Sequence, residues 1–170
     1  MYSKQPPEFI TVTCLKWTPV LKEDRLKDVV IESLNFLVSN QRIVVYGFVI
    51  MSNHFHLIWQ MAGDHKREDV QRDFLKYTGQ QLLKRLKEEG SELQKELLVE
   101  TSDRKYQVWE RNSLAVSLWS QDVFMQKLNY IHDNPVKAGL CEHPEDYKYS
   151  SARFYILNEK DWKFLSHYNG

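Results

Sequence analysis

Met51-Ser52-Asn53-His54-Phe55-His56-Leu57-Ile58-Trp59 sets two imidazoles two residues apart in an otherwise apolar run, directly after the β-forming stretch Arg42 to Ile50. Side chains on a strand alternate between faces, so His54 and His56 share one face while Phe55 and Leu57 share the other. Arg42 to Ile50 is apolar on both faces, the pattern of a strand covered on both sides. The short Met51-Ser52-Asn53 connection then turns the chain into a second strand, His54 to Met61. This hairpin is expected at the middle of the sheet. Two imidazoles on one face can hold one metal ion, or can be ordinary polar groups hydrogen-bonded at a sheet surface. The apolar flanks favour the first, because unpaired imidazoles are costly in a covered strand.

Working outward, Phe9 to Trp17 alternates β-formers and reads as a first strand. Thr18-Pro19 supplies an N-cap and a first-turn proline, and Leu26, Val29, Val30, Leu34 and Leu37 recur at helical spacing to about Val38. A second helix spans about Arg67 to Glu89, with Val70, Phe74, Leu82 and Leu86 inward and a basic complement that includes Arg72 and Lys76. Gly90 to Lys105 reads as a variable connection holding a short helix at Glu92 to Leu98. Tyr106 to Trp109 and Ala115 to Trp119 read as strands. A helix over Gln121 to Asp133 carries Tyr130 and ends before Pro135, because a residue preceding proline is pushed out of the α region. The tryptophans at 17, 59, 109 and 119 are assigned to the core.

This order of elements predicts an α+β fold: a ferredoxin-like (split βαβ) antiparallel sheet with helices on one face, plus a C-terminal helical tail. Unrelated functions share that topology, so the site must decide among them.

Composition narrows the choice. The 170 residues suit one domain with a full core. Lysine plus arginine and aspartate plus glutamate balance at 23 each, so any nucleic-acid surface comes from local segregation of charge. Cys14 and Cys141, the two cysteines, are too few for a disulfide framework or a cysteine-rich zinc site, and a reducing cytoplasm is expected. Met1 to Glu8 has no apolar leader core and no stretch is long enough to span a membrane, so no membrane association is expected.

Tyr130 and Asn134 are four apart and lie on one helical face. Gly47-Phe48-Val49-Ile50-Met51-Ser52-Asn53-His54-Phe55-His56-Leu57 together with Tyr130-Ile131-His132-Asp133-Asn134-Pro135-Val136-Lys137-Ala138-Gly139-Leu140 resembles the two signature blocks of the one-tyrosine HUH single-strand DNA transposases. Within that class the chain resembles the IS200-like branch associated with repetitive extragenic palindromes. Phe74 to Thr78 and Pro144 to Ala152 are similar to further family segments, so the resemblance runs from the first strand to about Tyr155.

The resemblance implies a catalytic domain over residues 1–135, including the tyrosine helix, with residues 136–170 as a tail packed on it. It implies that His54, His56 and Asn134 ligate a divalent metal, Mg²⁺ or Mn²⁺. Tyr130 would attack a DNA phosphate, giving a 5′-phosphotyrosyl bond and a free 3′-OH. The substrate would be single-stranded DNA with hairpin structure, with Arg72, Lys76 and Lys137 offered as phosphate contacts. The family includes chains that act alone and homodimers that exchange tyrosine helices, and the sequence leaves that open.

The residue types suit this chemistry. A phenol with a pKa of about 10 needs a strongly polarised electrophile or a base. A metal held by neutral imidazoles and an amide keeps nearly its full charge for the phosphate and the leaving oxygen. Asp133 points about 100° away from Tyr130 on an ideal helix, and His132 is not counted as a ligand. Two other readings stay open: a regulator of the same fold that binds structured nucleic acid with reduced catalysis, and a small metal hydrolase that leaves Tyr130 unexplained.

Overall fold

Four strands form one sheet, and the alternation of their side chains decides where each helix goes. The computed structural model describes residues 5–170; Met1 to Lys4, part of the stretch inspected for a leader, lie outside the described residues. The strands are β1 (Glu8–Thr13), β2 (Ile43–Ile50), β3 (His54–Met61) and β4 (Leu114–Ser117). The helices are α1 (Asp24–Ser39), α2 (Arg67–Glu88), α3 (Leu93–Glu96), α4 (Gln121–Lys137) and α5 (Ala152–Ile156). The sheet order is β2-β3-β1-β4 with every pair antiparallel, which is the split βαβ arrangement.

On one face Ile10, Val12, Phe48, Ile50, Phe55, Leu57 and Trp59 meet the buried stripes of α1 and α2. Phe55 and Trp59 both contact the Phe74 ring of α2. Each such side chain contributes about 1.5–3 kcal/mol on leaving water, so this layer is the principal source of stability. The expected one-face packing holds for these two helices. The opposite face carries α4, whose Phe124, Leu128 and Ile131 cover Phe9, Val49 and Ile58 in a smaller apolar cluster. Gly47 lies where α4 crosses β2: a Cβ there would come within 2.7 Å of Leu128 Cδ1, so the missing side chain lets helix and strand approach.

Four local expectations are corrected. Thr18 and Pro19 do not open α1, which begins at Asp24; Val20 and Leu21 are fully buried instead, and the Leu21 amide donates to the Ser52 carbonyl of the β2–β3 turn. The β2–β3 hairpin is not wholly central, since β2 is the outer strand of the four. The tail accounts for its two-sided apolar pattern. Ser151 donates its amide to Phe48, Ser166 to Val45, and Ile50 donates to Tyr149, so residues 149–166 cover that edge. Tyr106 to Trp109 is extended but makes single bridges, Tyr106 to Leu98 and Trp109 to Cys14, because its hydrogen bonds are split between two partners. Lastly, α4 runs through Pro135 to Lys137 and closes at Gly139, which has φ 74.

Two of the four tryptophans assigned to the core are buried, Trp59 and Trp109. Trp17 and Trp119 are instead 60% and 79% exposed. No helix is long and apolar enough to cross a membrane among the described residues.

Candidate active site

Strand register brings the site together. Thr11 of β1 lies opposite His56 and Thr13 opposite His54, so the face of the sheet beneath α4 carries a polar row flanked by Phe9 and Val49. The His56 Nδ1 is 2.8 Å from Thr11 Oγ1, and the His54 Nδ1 is 2.8 Å from Asn53 Oδ1. The two imidazole centroids are 5.0 Å apart.

Asn134 closes the group from α4. Its Nδ2 is 3.3 Å from His56 Nε2, and its amide also hydrogen-bonds His54. This depends on α4 continuing through Pro135: a helix ended at Asp133 would turn the amide off the face it shares with Tyr130. Proline forfeits one backbone donor there, and the burial of Pro135 among the packed residues of α4 offsets it.

The polar neighbours favour particular tautomers. Asn53 Oδ1 can only accept, so His54 Nδ1 carries its proton. Asn134 Nδ2 can only donate, so His56 Nε2 holds a lone pair and its Nδ1 proton goes to Thr11. His56 Nε2, facing the Asn134 amide, is thus available as a ligand, and Nδ1 of both rings is held by a polar neighbour, the usual support of a metal-binding imidazole. Burial lowers the His56 pKa to about 3, with His54 and Lys127 acting in the same direction. Burial lowers His54 as well, against the opposing Asn134 hydrogen bond. Both rings are neutral at pH 7, as a ligand must be.

Two imidazole nitrogens and one amide oxygen fit a divalent cation that takes its remaining ligands from water and phosphate. No group of three histidine, cysteine, aspartate or glutamate side chains gathers among the described residues; the polar group here is two imidazoles and one amide.

Tyr130 stands beside this group in the same chain. Its ring is 5.3 Å from that of His56 and 6.0 Å from that of Phe9, both steeply inclined to it, and the residue is 43% exposed, so it stands between His56 and solvent. Two ammonium groups flank it: Lys127 Nζ is 5.8 Å and Lys137 Nζ 5.9 Å from the ring centroid. Lys127 also lies 5.0 Å over Phe9.

Of the residues singled out in the sequence, the structure brings together His54, His56, Asn134, Tyr130 and Lys137. Arg72 and Lys76 lie apart, on α2 across the sheet, where they line a groove of about 580 Å³ with Arg104 and Tyr106. Arg72 is occupied there with Asp69 and Asp73. His132 points away into the tail interface, 2.8 Å from Ser151 Oγ. Lys127, Thr11 and Asn53 were missed. Lys127 was legible, being three residues before Tyr130 on the same helical face. Thr11 was not, because strand register cannot be read from a single sequence.

No family model matches the chain, and no curated protein matches it in sequence. Solved structures do. The chain is similar to a REP-associated tyrosine transposase bound to a REP hairpin, with TM-score 0.65 and 16% identity over 100% of this chain and 88% of that one. It is also similar to a Deinococcus radiodurans R1 protein provisionally named a transposase, with TM-score 0.51 and 13% identity over 78% of this chain and 92% of that one. At these identities the likeness is one of architecture: the chain is built on the fold of a REP-associated tyrosine transposase, the family that its two sequence blocks resemble.

Proposed function

We propose that the protein is a metal-dependent single-strand DNA endonuclease and strand transferase, a transposase that recognises DNA hairpins. The observation that carries this reading is the meeting of Tyr130 with the His54, His56 and Asn134 group on one face of the sheet. The solved relative's hairpin supports the choice of substrate.

His54, His56 and Asn134 would hold the cation, which when bound would supply positive charge to the scissile phosphate and to the departing 3′-oxygen. Thr11 and Asn53 keep the imidazoles in the ligating tautomer. The Tyr130 oxygen attacks phosphorus and the bond to the 3′-oxygen breaks. The phenolic proton passes to solvent, and the 3′-oxygen takes up a proton to leave as a free hydroxyl. The DNA is left joined to the protein through a 5′-phosphotyrosine. Lys127 and Lys137 balance the phosphate charge at the attacking ring, which suits a chain of zero net charge.

The test is incubation with a library of single-stranded hairpins in Mg²⁺ or Mn²⁺, followed by denaturing electrophoresis. A covalent adduct that is absent in Tyr130→Phe is expected. Tight hairpin binding with no adduct in any divalent metal would replace this reading with that of a non-cutting regulator.

A further inference from the structure

Trp17 is a large exposed aromatic side chain beside the histidines, and its backbone is one that L residues avoid. Lys16 and Trp17 have φ of 53° and 57° in succession. Adjacent left-handed residues other than glycine are strained and persist only where their surroundings over-determine them. Here they do. The Leu15 amide donates to the Val108 carbonyl at 2.7 Å, Lys16 to Glu110 Oε1 at 2.7 Å and Trp17 to the Cys14 carbonyl at 2.9 Å. Cys14 in turn donates to the carbonyl of Asn53, the residue whose side chain holds His54.

The turn therefore fixes an indole in water while the neighbouring Val20 and Leu21 are fully buried. The ring makes a T-shaped contact with His54, with centroids 5.8 Å apart and planes at 72°, and 60% of the residue is open. A solvated indole on a fixed backbone beside a phosphate site matches the chemistry of an unpaired nucleobase, which offers a π face whatever its identity. The exposed Lys16 adds a cation for the adjoining backbone.

Resting on the reading of the site as one for a single-stranded DNA phosphate, we infer that Trp17 is a stacking platform for the unpaired base next to the phosphate held at His54 and His56. The platform holds the strand in register with the phosphate and is indifferent to the base it holds.

The experiment measures binding of a hairpin oligonucleotide with single-stranded flanks, by anisotropy, in a Tyr130→Phe background so that no cleavage intervenes. An abasic site is walked along the flank. One abasic position is expected to weaken binding about tenfold. Trp17→Gly accepts the left-handed backbone and removes the ring; it should weaken the intact flank by the same factor and add nothing at that abasic position. Trp17→Phe should recover most of the loss.

A Trp17→Gly chain that binds every oligonucleotide as its parent does overturns the platform, and so does one weakened equally on a blunt hairpin without flanks. A change confined to self-association assigns the indole to a contact between copies and also overturns it. If wild type forms the adduct and the Tyr130→Phe parent binds hairpins yet ignores every abasic position, the platform fails and the functional reading stands. A parent that binds no hairpin overturns both.

Discussion

The two faces of one sheet carry different work, and the same strand supplies both. Phe55, Leu57 and Trp59 of β3 are buried against α1 and α2, whereas His54 and His56 point the other way, toward α4. The first face closes over its apolar side chains completely. The second surrounds a polar row with apolar residues and leaves Tyr130 half open at its margin. A period of two thus lets stability and chemistry be altered almost independently, although the residues concerned are neighbours in sequence.

The largest effect should come from the apolar face. Trp59→Ala is expected to cost about 3–5 kcal/mol in urea unfolding, from lost burial and the cavity left behind. His56→Ala, one strand position class away, should cost far less without metal. Equal losses would break the division. Trp59 Nε1 is buried without a partner among the described side chains, so Trp59→Phe should be much milder than Trp59→Ala.

Acid should act where α4 meets the tail, through His132 and Ser151. Burial lowers the His132 pKa from 6.5 to about 4, so the folded state keeps this ring neutral while the unfolded chain takes up a proton below pH 6.5. The contribution of this one ring is then complete above pH 6.5 and is lost, by about 3 kcal/mol, as pH drops toward 4, in addition to the loss from the two lowered histidines of the site. His132→Gln should flatten that part of the pH profile of unfolding, and an unchanged profile would remove the assigned cause.

Metal should act on the second face alone. Mn²⁺ at about a hundred times its dissociation constant is expected to stabilise the chain by about 2.7 kcal/mol, read as a rise in Tm. His54→Ala with His56→Ala should abolish the rise, and a rise that survives places the ion elsewhere. The smallest effect concerns how α4 is seated. Gly47→Ala meets the far end of the Leu128 side chain and should cost about 1 kcal/mol, while slowing adduct formation more than the stability loss accounts for.

The hairpin that decides the fold was legible because two-residue alternation survives in a single sequence, and the inward stripes of α1 and α2 were legible by helical spacing. The pairing of His54, His56, Tyr130 and Asn134 was accessible through resemblance, since nothing local says that a helix about seventy residues later returns to that strand. Pro135 misled because its local preference was weighed alone; packing of Leu128, Ile131 and Pro135 carries α4 one turn further. Trp17 and Trp119 misled in the opposite direction, being exposed where large aromatics are usually core; for Trp17 the left-handed backbone holds the residue outward. Arg72 and Lys76 were read from a basic helix face, and only the layer order shows that this face lies across the sheet from the histidines.

The most direct measurement is mass spectrometry of the protease-digested adduct formed with a hairpin oligonucleotide in Mn²⁺. The account predicts a nucleotide on the peptide containing Tyr130, in wild type and not in His56→Ala. A nucleotide carried by any other tyrosine, or an adduct on Tyr130 that forms equally well without His56, would contradict it.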